Sequence, residues 1–292
     1  MAVLTVFTPT YNRAHTLPDT YASLCSQKNK DFLWLIVDDG STDHTAQLVS
    51  QWQNQDNGFE IRYLYQENGG MHTAHNTAYA AIDTELNMCI DSDDRLAPDA
   101  VDTIVTKWAQ IRHLGYAGMI GLDADLHGHV IGTGFSEGLQ ETTLSGFYAA
   151  GGHGDKKLVY RTDVIRKYPP YPVFSGEKYM ALAYLYYQID RKYKLAVVND
   201  VLCLVNYQQD GHSAAMWREY VRSPKGFALW RKLCMEYPLT GTRLWADCLH
   251  YVAESLLAGN RHFLRESPRK CRTLLCAIPG WILYHHIKRK AK

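Results

Sequence analysis

Asp91, Ser92, Asp93 and Asp94 put three carboxylates into four residues, directly after the apolar run LNMCI. Like charges this close repel unless a cation lies among them or the chain uses them to satisfy backbone N–H groups. A hard divalent cation does the first, because Mg²⁺ takes one or two protein carboxylates and completes its shell with phosphate oxygens. An Asx-rich turn capping the next helix does the second, with Asp94 as the cap. On these residues alone both readings stand.

Three further polar clusters have the same placement at the end of an apolar run. Asp38-Asp39-Gly40-Ser41-Thr42-Asp43 follows FLWLIV. Its acids can accept from a base N–H or a ribose hydroxyl, with Asp39 the better ligand and Asp43 a natural helix cap. Pro9-Thr10-Tyr11-Asn12-Arg13 ends the first apolar run, where Tyr11 can stack on a base or simply sit in an ordinary loop. Gln66-Glu67-Asn68-Gly69-Gly70 precedes His72, His75 and Asn76. The glycines allow close backbone approach. Two histidines at i, i+3 are too few for zinc without a third ligand, whereas a helix N-terminus suits a diphosphate.

These clusters must be positioned by the elements between them. Strands are expected at Val3–Thr8, Phe32–Val37, Ile61–Tyr65 and Glu85–Ile90. Helices are expected at Leu17–Gln27, from Asp43 to Trp52, at Thr73–Ile82 and over 98–113. Such β-loop-α repetition implies a mostly parallel sheet flanked by helices, which binds ligands outside the carboxyl ends of its strands. Beyond residue 115 the chain is glycine-rich to 155, then reads as a helix over Gly176–Lys192, a strand at Leu195–Val198 and aromatic-rich helices over 218–258.

Composition narrows the classes. Seven scattered cysteines without a CxxC pair argue for a reducing compartment and against a disulfide framework or structural zinc. No secretory leader is expected, nor a membrane-spanning helix. The net charge of +1 hides a split: residues 260–292 hold nine Lys/Arg and one acid, leaving residues 1–259 with 22 basic and 29 acidic side chains. An acidic body without a recognition motif excludes nucleic acid as the partner. The basic end, with the apolar stretch and aromatic residues of 271–292, suits an anionic membrane surface, against the plainer reading of a packed terminal helix.

Taken together, PTYNR at 9–13, VDDGSTD at 37–43, QENGG with AHN at 66–76 and DSDD at 91–94 resemble the inverting GT-A glycosyltransferases of family 2. The resemblance covers about residues 1–110 and reaches more loosely to about 215. It implies a GT-A domain over 1–215, with a nucleotide-sugar-binding half at 1–110 and an acceptor half at 111–215, followed by a helical extension over 216–292. It implies that Pro9, Thr10, Tyr11, Asn12, Arg13 and Asp39 hold the nucleotide of a UDP-sugar. Asn68, Gly69, His75, Asp91 and Ser92 then contact the rest of the donor, His75 standing where many members carry Arg. Asp93, with Asp94 and His212 as further ligands, holds Mn²⁺ or Mg²⁺. The base that deprotonates the acceptor is Glu177, with Asp155 in reserve, although Lys178 stands where members often have Asp.

The implied acceptor is a glycan or lipid-linked glycan, the location the cytoplasm or the inner face of its membrane, and the process bacterial cell-surface polysaccharide synthesis. Two other readings compete. A sugar nucleotidyltransferase would open with a glycine-rich basic loop, which PTYNRAHT is not. A non-catalytic assembly partner would have lost the acids at 91–94, which are present.

Overall fold

The computed structural model describes residues 2–206, 216–237 and 241–291. The chain alternates β1 (Leu4–Thr10), α1 (Leu17–Cys25), β2 (Phe32–Asp38), α2 (Thr45–Gln53), β3 (Glu60–Tyr65), α3 (Met71–Ala81) and β4 (Leu86–Cys89). It continues through β5 (Arg95–Leu96), α4 (Ala100–Ile111), β6 (Gly118–Asp125), β7 (Glu141–Thr142), α5 (Leu144–Ala149), β8 (Lys156–Arg161), α6 (Thr162–Ile165), α7 (Ala183–Asp190) and β9 (Leu195–Val205). Helices α8 (Met216–Arg222), α9 (Pro224–Glu236), α10 (Gly241–Leu257), α11 (Phe263–Glu266), α12 (Lys270–Leu275) and α13 (Ala277–Lys290) complete it.

Two compact units emerge, one formed by 1–170 with 185–207 and the other by 171–184 with 208–292. The first holds a sheet of order β3-β2-β1-β4-β8-β6-β9-β5, with β7 on β9. Strands β3, β2, β1 and β4 are mutually parallel. β8 runs antiparallel to both β4 and β6, so the half from β8 onward is mixed. Every residue of β1 and β2 is buried, as continuous apolar runs covered on both faces must be. Register then does the positioning: Thr10 pairs with Asp38, and Asp38 with Tyr65. The loops after β1, β2 and β3 therefore leave one sheet edge side by side, and the turn after β4 leaves it beside β1.

Beneath that edge lies a core of Leu4, Val6, Ile36, Leu86, Ile104 and Trp108 among others. Trp34 is fully buried, donates its indole N–H to Thr8 Oγ1 at 2.9 Å, and stacks at 5.8 Å on Trp52. The second unit has its own small core of Met235, Leu244, Cys248, Tyr251, Val252 and Cys276. All seven cysteines are free.

Expectation and structure differ in two places that matter for function. The helix foreseen over Gly176–Lys192 begins only at Ala183, because Gly176 at φ +79° and the chain around it form a non-helical turn. The strand foreseen at Leu195–Val198 extends to Val205 and so reaches the acid turn through its pairing with β5.

Gly118 shows how tightly the mixed half is built. A Cβ there would lie 1.9 Å from the Val159 carbonyl oxygen, at φ +150°. Gly128, at φ +85°, has nothing within 4 Å. Gly118→Ala should therefore cost about 3 kcal/mol through forced backbone movement, and Gly128→Ala only about 1 kcal/mol through its left-handed backbone. Equal denaturant midpoints for the two variants would contradict this account of the β6–β8 contact.

Candidate active site

Asp39 organises the edge. It is 4 % exposed, and its carboxylate accepts from Gln66 Nε2 at 2.6 Å, Gly69 N at 2.9 Å and Gly70 N at 2.8 Å. Its carbonyl accepts from Asn68 Nδ2 at 2.7 Å, and its N–H donates to the Thr10 carbonyl at 2.8 Å. Through its side chain and its backbone N–H this one residue ties the loop after β2 to the loop after β3 and to the end of β1. Gly40 makes the approach possible: at φ +88°, a Cβ would stand 2.8 Å from Asn68 N. Charge-assisted bonds to N–H groups are the strong class of hydrogen bond, and three of them fix this corner. A carboxylate has about four lone-pair sites, so Asp39 keeps little capacity for a ligand, while the loops it fixes keep theirs.

The first two loops are also stitched directly. Asn12, at φ +53°, donates its N–H to Ser41 Oγ at 2.8 Å and accepts from Thr42 N at 2.7 Å. Asp43 accepts from Ala14 N at 3.0 Å and from Thr45 N at 3.0 Å, which makes it structural as foreseen. Asp38 is likewise tied, accepting from Ser41 N and Tyr63 Oη. Tyr11 is 49 % exposed, so its ring lies open. Pro9 and Thr10, expected in the loop, are instead the last two residues of β1 and buried. Among the described residues the Thr10 hydroxyl is buried without a hydrogen-bond partner.

In the acid turn the carboxylates divide. Asp91 is exposed and Asp93 half-buried, on a turn closed by Asp94 N donating to Asp91 O at 3.1 Å. Asp94 points inward: it is 5 % exposed and accepts from Asn206 N at 3.1 Å and from the Cys203 thiol at 3.8 Å. Burial pushes its carboxyl up to about 7. Its oxygens thus serve the junction with β9, and a metal contact by Asp94 would have to compete with these bonds. Asp94 does not cap the next helix either, because α4 begins after Asp99, with β5 in between. Asp91 and Asp93 still fit a divalent ion, as hard oxygen donors two residues apart on an accessible turn. Among the described residues no three His, Cys, Asp or Glu side chains converge on a metal position. Such an ion would therefore draw most of its shell from phosphate and water.

Sequence reading missed two residues beside this turn. Lys157 on β8 lies almost wholly buried with its Nζ 3.9 Å from Asp123 Oδ1 on β6. Burial works against that ammonium, but Asp123, Asp94 and Asp91 outweigh it and raise its pKa well above the ordinary lysine value. A fixed cation thus sits within the field of the acid cluster. The signal was weak, because Lys157 follows Lys156 in what reads as a loop, and only the β4–β8–β6 pairing brings it inward. Asp155, one residue before β8, is exposed and contributes to the field at Asp123.

Two expectations change their meaning. His75 is fully buried, with its ring edge-on to Phe7 at 5.0 Å and to Tyr79 at 5.8 Å and its Nδ1 3.0 Å from the Met71 carbonyl. With no exposed surface it packs α3 onto β1, and the direct donor contact expected of it is corrected. Glu177 belongs to the second unit, 8 % exposed, where its oxygens accept from Lys225 N at 3.1 Å and Gly226 N at 2.9 Å. It caps the first turn of α9, and Gly226 is needed there because a Cβ would meet the Tyr179 carbonyl at 2.3 Å. His212 lies outside the described residues.

A parallel β-α half, an acid turn at the end of its fourth strand and a mixed second half define the GT-A class of nucleotide-sugar transferase folds. The sequence matches the family described as Glycosyl transferase family 2 over residues 5–125. It is 32% identical over 104 residues to "Glycosyltransferase GlyA" of Streptococcus pneumoniae, covering 36% of this chain and 15% of that protein. It is 32% identical over 100 residues to a putative teichuronic acid biosynthesis glycosyltransferase, TuaG, of Bacillus subtilis, covering 34% of this chain and 39% of the relative. The match thus spans well under half the length of these relatives. In structure the chain resembles S. aureus TarS 1-349 at TM-score 0.61 and 18% identity, covering 100% of this chain and 92% of that one. It also resembles a mannosyltransferase of Pyrobaculum calidifontis in complex with GDP-Man and Mn²⁺, at TM-score 0.59 and 16% identity, covering 97% and 86%. At these identities the structural likeness is one of fold. In sequence, the likeness to Glycosyl transferase family 2 lies within the amino-terminal segment, residues 5–125.

The buried imidazole gives a pH signature. Burial holds His75 down at about 4, against an ordinary value of 6.5. Between those values the unfolded chain takes up a proton that the folded chain refuses. This contribution to stability is complete above the upper value and is lost as pH falls through the window, by up to about 3 kcal/mol. His75→Gln should lose that part of the acid-side decline in chemical-denaturation free energy. An unchanged pH slope would show that His75 is not held neutral.

Proposed function

We propose that the chain transfers a glycosyl unit, with inversion, from a nucleoside-diphosphate sugar to a glycan or lipid-linked glycan acceptor. The observation that carries this reading is the convergence of four loops on one sheet edge, with Asp91 and Asp93 facing solvent at its centre. The open ring of Tyr11 is placed to meet the nucleoside, and Asn68 and Gly69 line the loop that Asp39 holds. Asp91 and Ser92 face the ribose and sugar. Asp93 and Asp91 would hold a Mn²⁺ or Mg²⁺, which would supply the charge that a leaving diphosphate needs. UDP-GlcNAc in TarS, GDP-Man in the archaeal enzyme and the teichuronic acid role in the name of the Bacillus relative support a nucleotide-sugar donor and a cell-surface polysaccharide. Work at the cytoplasmic side, where such donors are made, fits that reading.

Inversion requires the acceptor hydroxyl to attack the anomeric carbon opposite the diphosphate while a base takes its proton. Of the two candidates Asp155 is favoured. It is exposed and in the same unit as the acid turn, whereas both oxygens of Glu177 already accept N–H groups. Glu177 is then a positioning residue for α9.

Release of nucleoside diphosphate from a panel of UDP-, GDP- and dTDP-sugars tests the reading, a nucleotidyltransferase releasing pyrophosphate instead. Asp93→Ala should abolish metal-dependent donor binding. Asp155→Asn should leave donor binding intact and slow transfer by roughly 10²–10⁴-fold, while Glu177→Gln should lower Tm with a smaller loss of rate. Near-normal transfer by Asp155→Asn, with transfer abolished at unchanged Tm in Glu177→Gln, would make Glu177 the base. Unchanged donor affinity in Asp93→Ala would remove the metal assignment.

A further inference from the structure

The second unit carries an apolar surface that the transfer reaction does not use. Of the fifteen large hydrophobic side chains that stand exposed among the described residues, five fall between 274 and 282. Leu274 is 58 % exposed, Leu275 68 %, Ile278 75 %, Trp281 55 % and Ile282 59 %. Positions 274, 278, 281 and 282 recur at helical spacing, so α12 and α13 present one continuous apolar stripe outward.

This is not a frayed terminus. Thr273, Cys276, Gly280 and Ile287 are buried on the opposite side. A Cβ at Gly280 would stand 2.6 Å from the Val252 side chain and 3.2 Å from the Leu249 carbonyl, so α13 lies against the backbone of α10. His286 meets the Trp217 ring at 5.4 Å. Close packing of one side fixes the rotation of α13 about its axis. The face holding Ile278, Trp281 and Ile282 is therefore the one the fold turns to solvent.

Charge surrounds the stripe. A cleft of about 480 Å³ is lined by Arg261, Arg265 and Lys270 together with Leu264 and Leu274. Leu274 belongs to both features, so a cationic cleft opens onto the apolar face. Lys288, Arg289 and Lys290 are exposed at the far end of α13. Residues 260–292 hold nine cations and one acid, in a chain whose remainder is net acidic. No helix among the described residues is long and apolar enough to cross a membrane.

We propose that α12 and α13 form the docking face for an anionic lipid bilayer. Leu274, Leu275, Ile278, Trp281 and Ile282 enter the interface, while Arg261, Arg265 and Lys270 on one side and Lys288, Arg289 and Lys290 on the other hold headgroup phosphates. An apolar stripe with cations on its flanks is what an interfacial helix presents, and apolar burial together with anionic attraction sets its affinity. Face-to-face pairing with a second copy would bring the same cations against one another, so charge complementarity at this face favours the bilayer. The proposal concerns the second unit alone and does not depend on the donor reading.

Flotation of the full chain with vesicles tests it. Binding to phosphatidylcholine containing about 30 mol% phosphatidylglycerol should exceed binding to phosphatidylcholine alone by about tenfold or more, and should fall as salt rises to about 0.5 M. Ile278→Ser with Ile282→Ser should lower binding by about tenfold at unchanged Tm, since both residues are exposed. Arg265→Gln with Lys270→Gln should remove the preference for the anionic lipid. Inorganic phosphate at low millimolar concentration should not displace the protein, because the apolar face supplies part of the affinity. Equal binding to both vesicle types, unchanged binding by Ile278→Ser with Ile282→Ser, or displacement by phosphate alone would overturn the proposal. So would a wild-type dimer in sedimentation that these serines convert to monomer without effect on vesicles. Donor release measured on the same serine variants should equal wild type, which separates this proposal from the catalytic one.

Discussion

A single buried aspartate holds the carboxyl edge of the parallel strands together. Asp39 gathers three N–H donors from the loop after β3, and its own N–H reaches the end of β1. Parallel strands place loop origins beside one another, but they do not fix the conformation of the loops. Asp39 does, and the fixed conformation it imposes is what a binding surface built from backbone groups requires. Gly40 and Gly70, both at positive φ, let the chains approach closely enough for those bonds to form. The same residue type that would serve as a ligand in isolation acts here mainly as the frame for ligands around it.

Charge is arranged by a related logic. Acids at the sheet edge fall into an outward pair, Asp91 and Asp93, and an inward group, Asp94 and Asp123, that shares the field of Lys157. A buried charge is tolerated when paired. The inward group therefore keeps the turn shaped while the outward pair lies toward the surface. The second unit repeats the device: Arg231 lies 3.0 Å from Asp247 and 3.5 Å from Glu254, closing a buried network. Its surplus cations lie on the surface at the carboxyl end instead.

Much of the first 113 residues was legible because periodic apolar runs and turn residues agreed there. FLWLIV ended at Asp38-Asp39 and became β2, and VDTIVTKWAQI became most of α4. The four polar clusters were found because each stands at a strand end, a one-dimensional signal. What stayed hidden depends on pairing between distant segments. Lys157 and Asp123 meet only through the β6–β8 ladder, and no local spacing announces it. The inward turn of Asp94 rests on Asn206, more than a hundred residues away. Glu177 read as a helix-start acid of its own segment, but it caps α9, a helix far along the chain. His75 read as a polar group at a helix N-terminus and proved to be a core residue because the stripe facing β1 includes it.

The central claim is that this edge binds a nucleoside diphosphate with the help of a divalent ion. Thermal unfolding of the full chain with UDP, GDP, CDP and dTDP, each with and without Mn²⁺, tests it most directly. Ligand bound only to the folded state raises Tm by mass action. The account predicts that one nucleotide raises Tm and that the rise disappears without Mn²⁺. No shift with any nucleotide in the presence of Mn²⁺, or an equal shift without it, would contradict the claim.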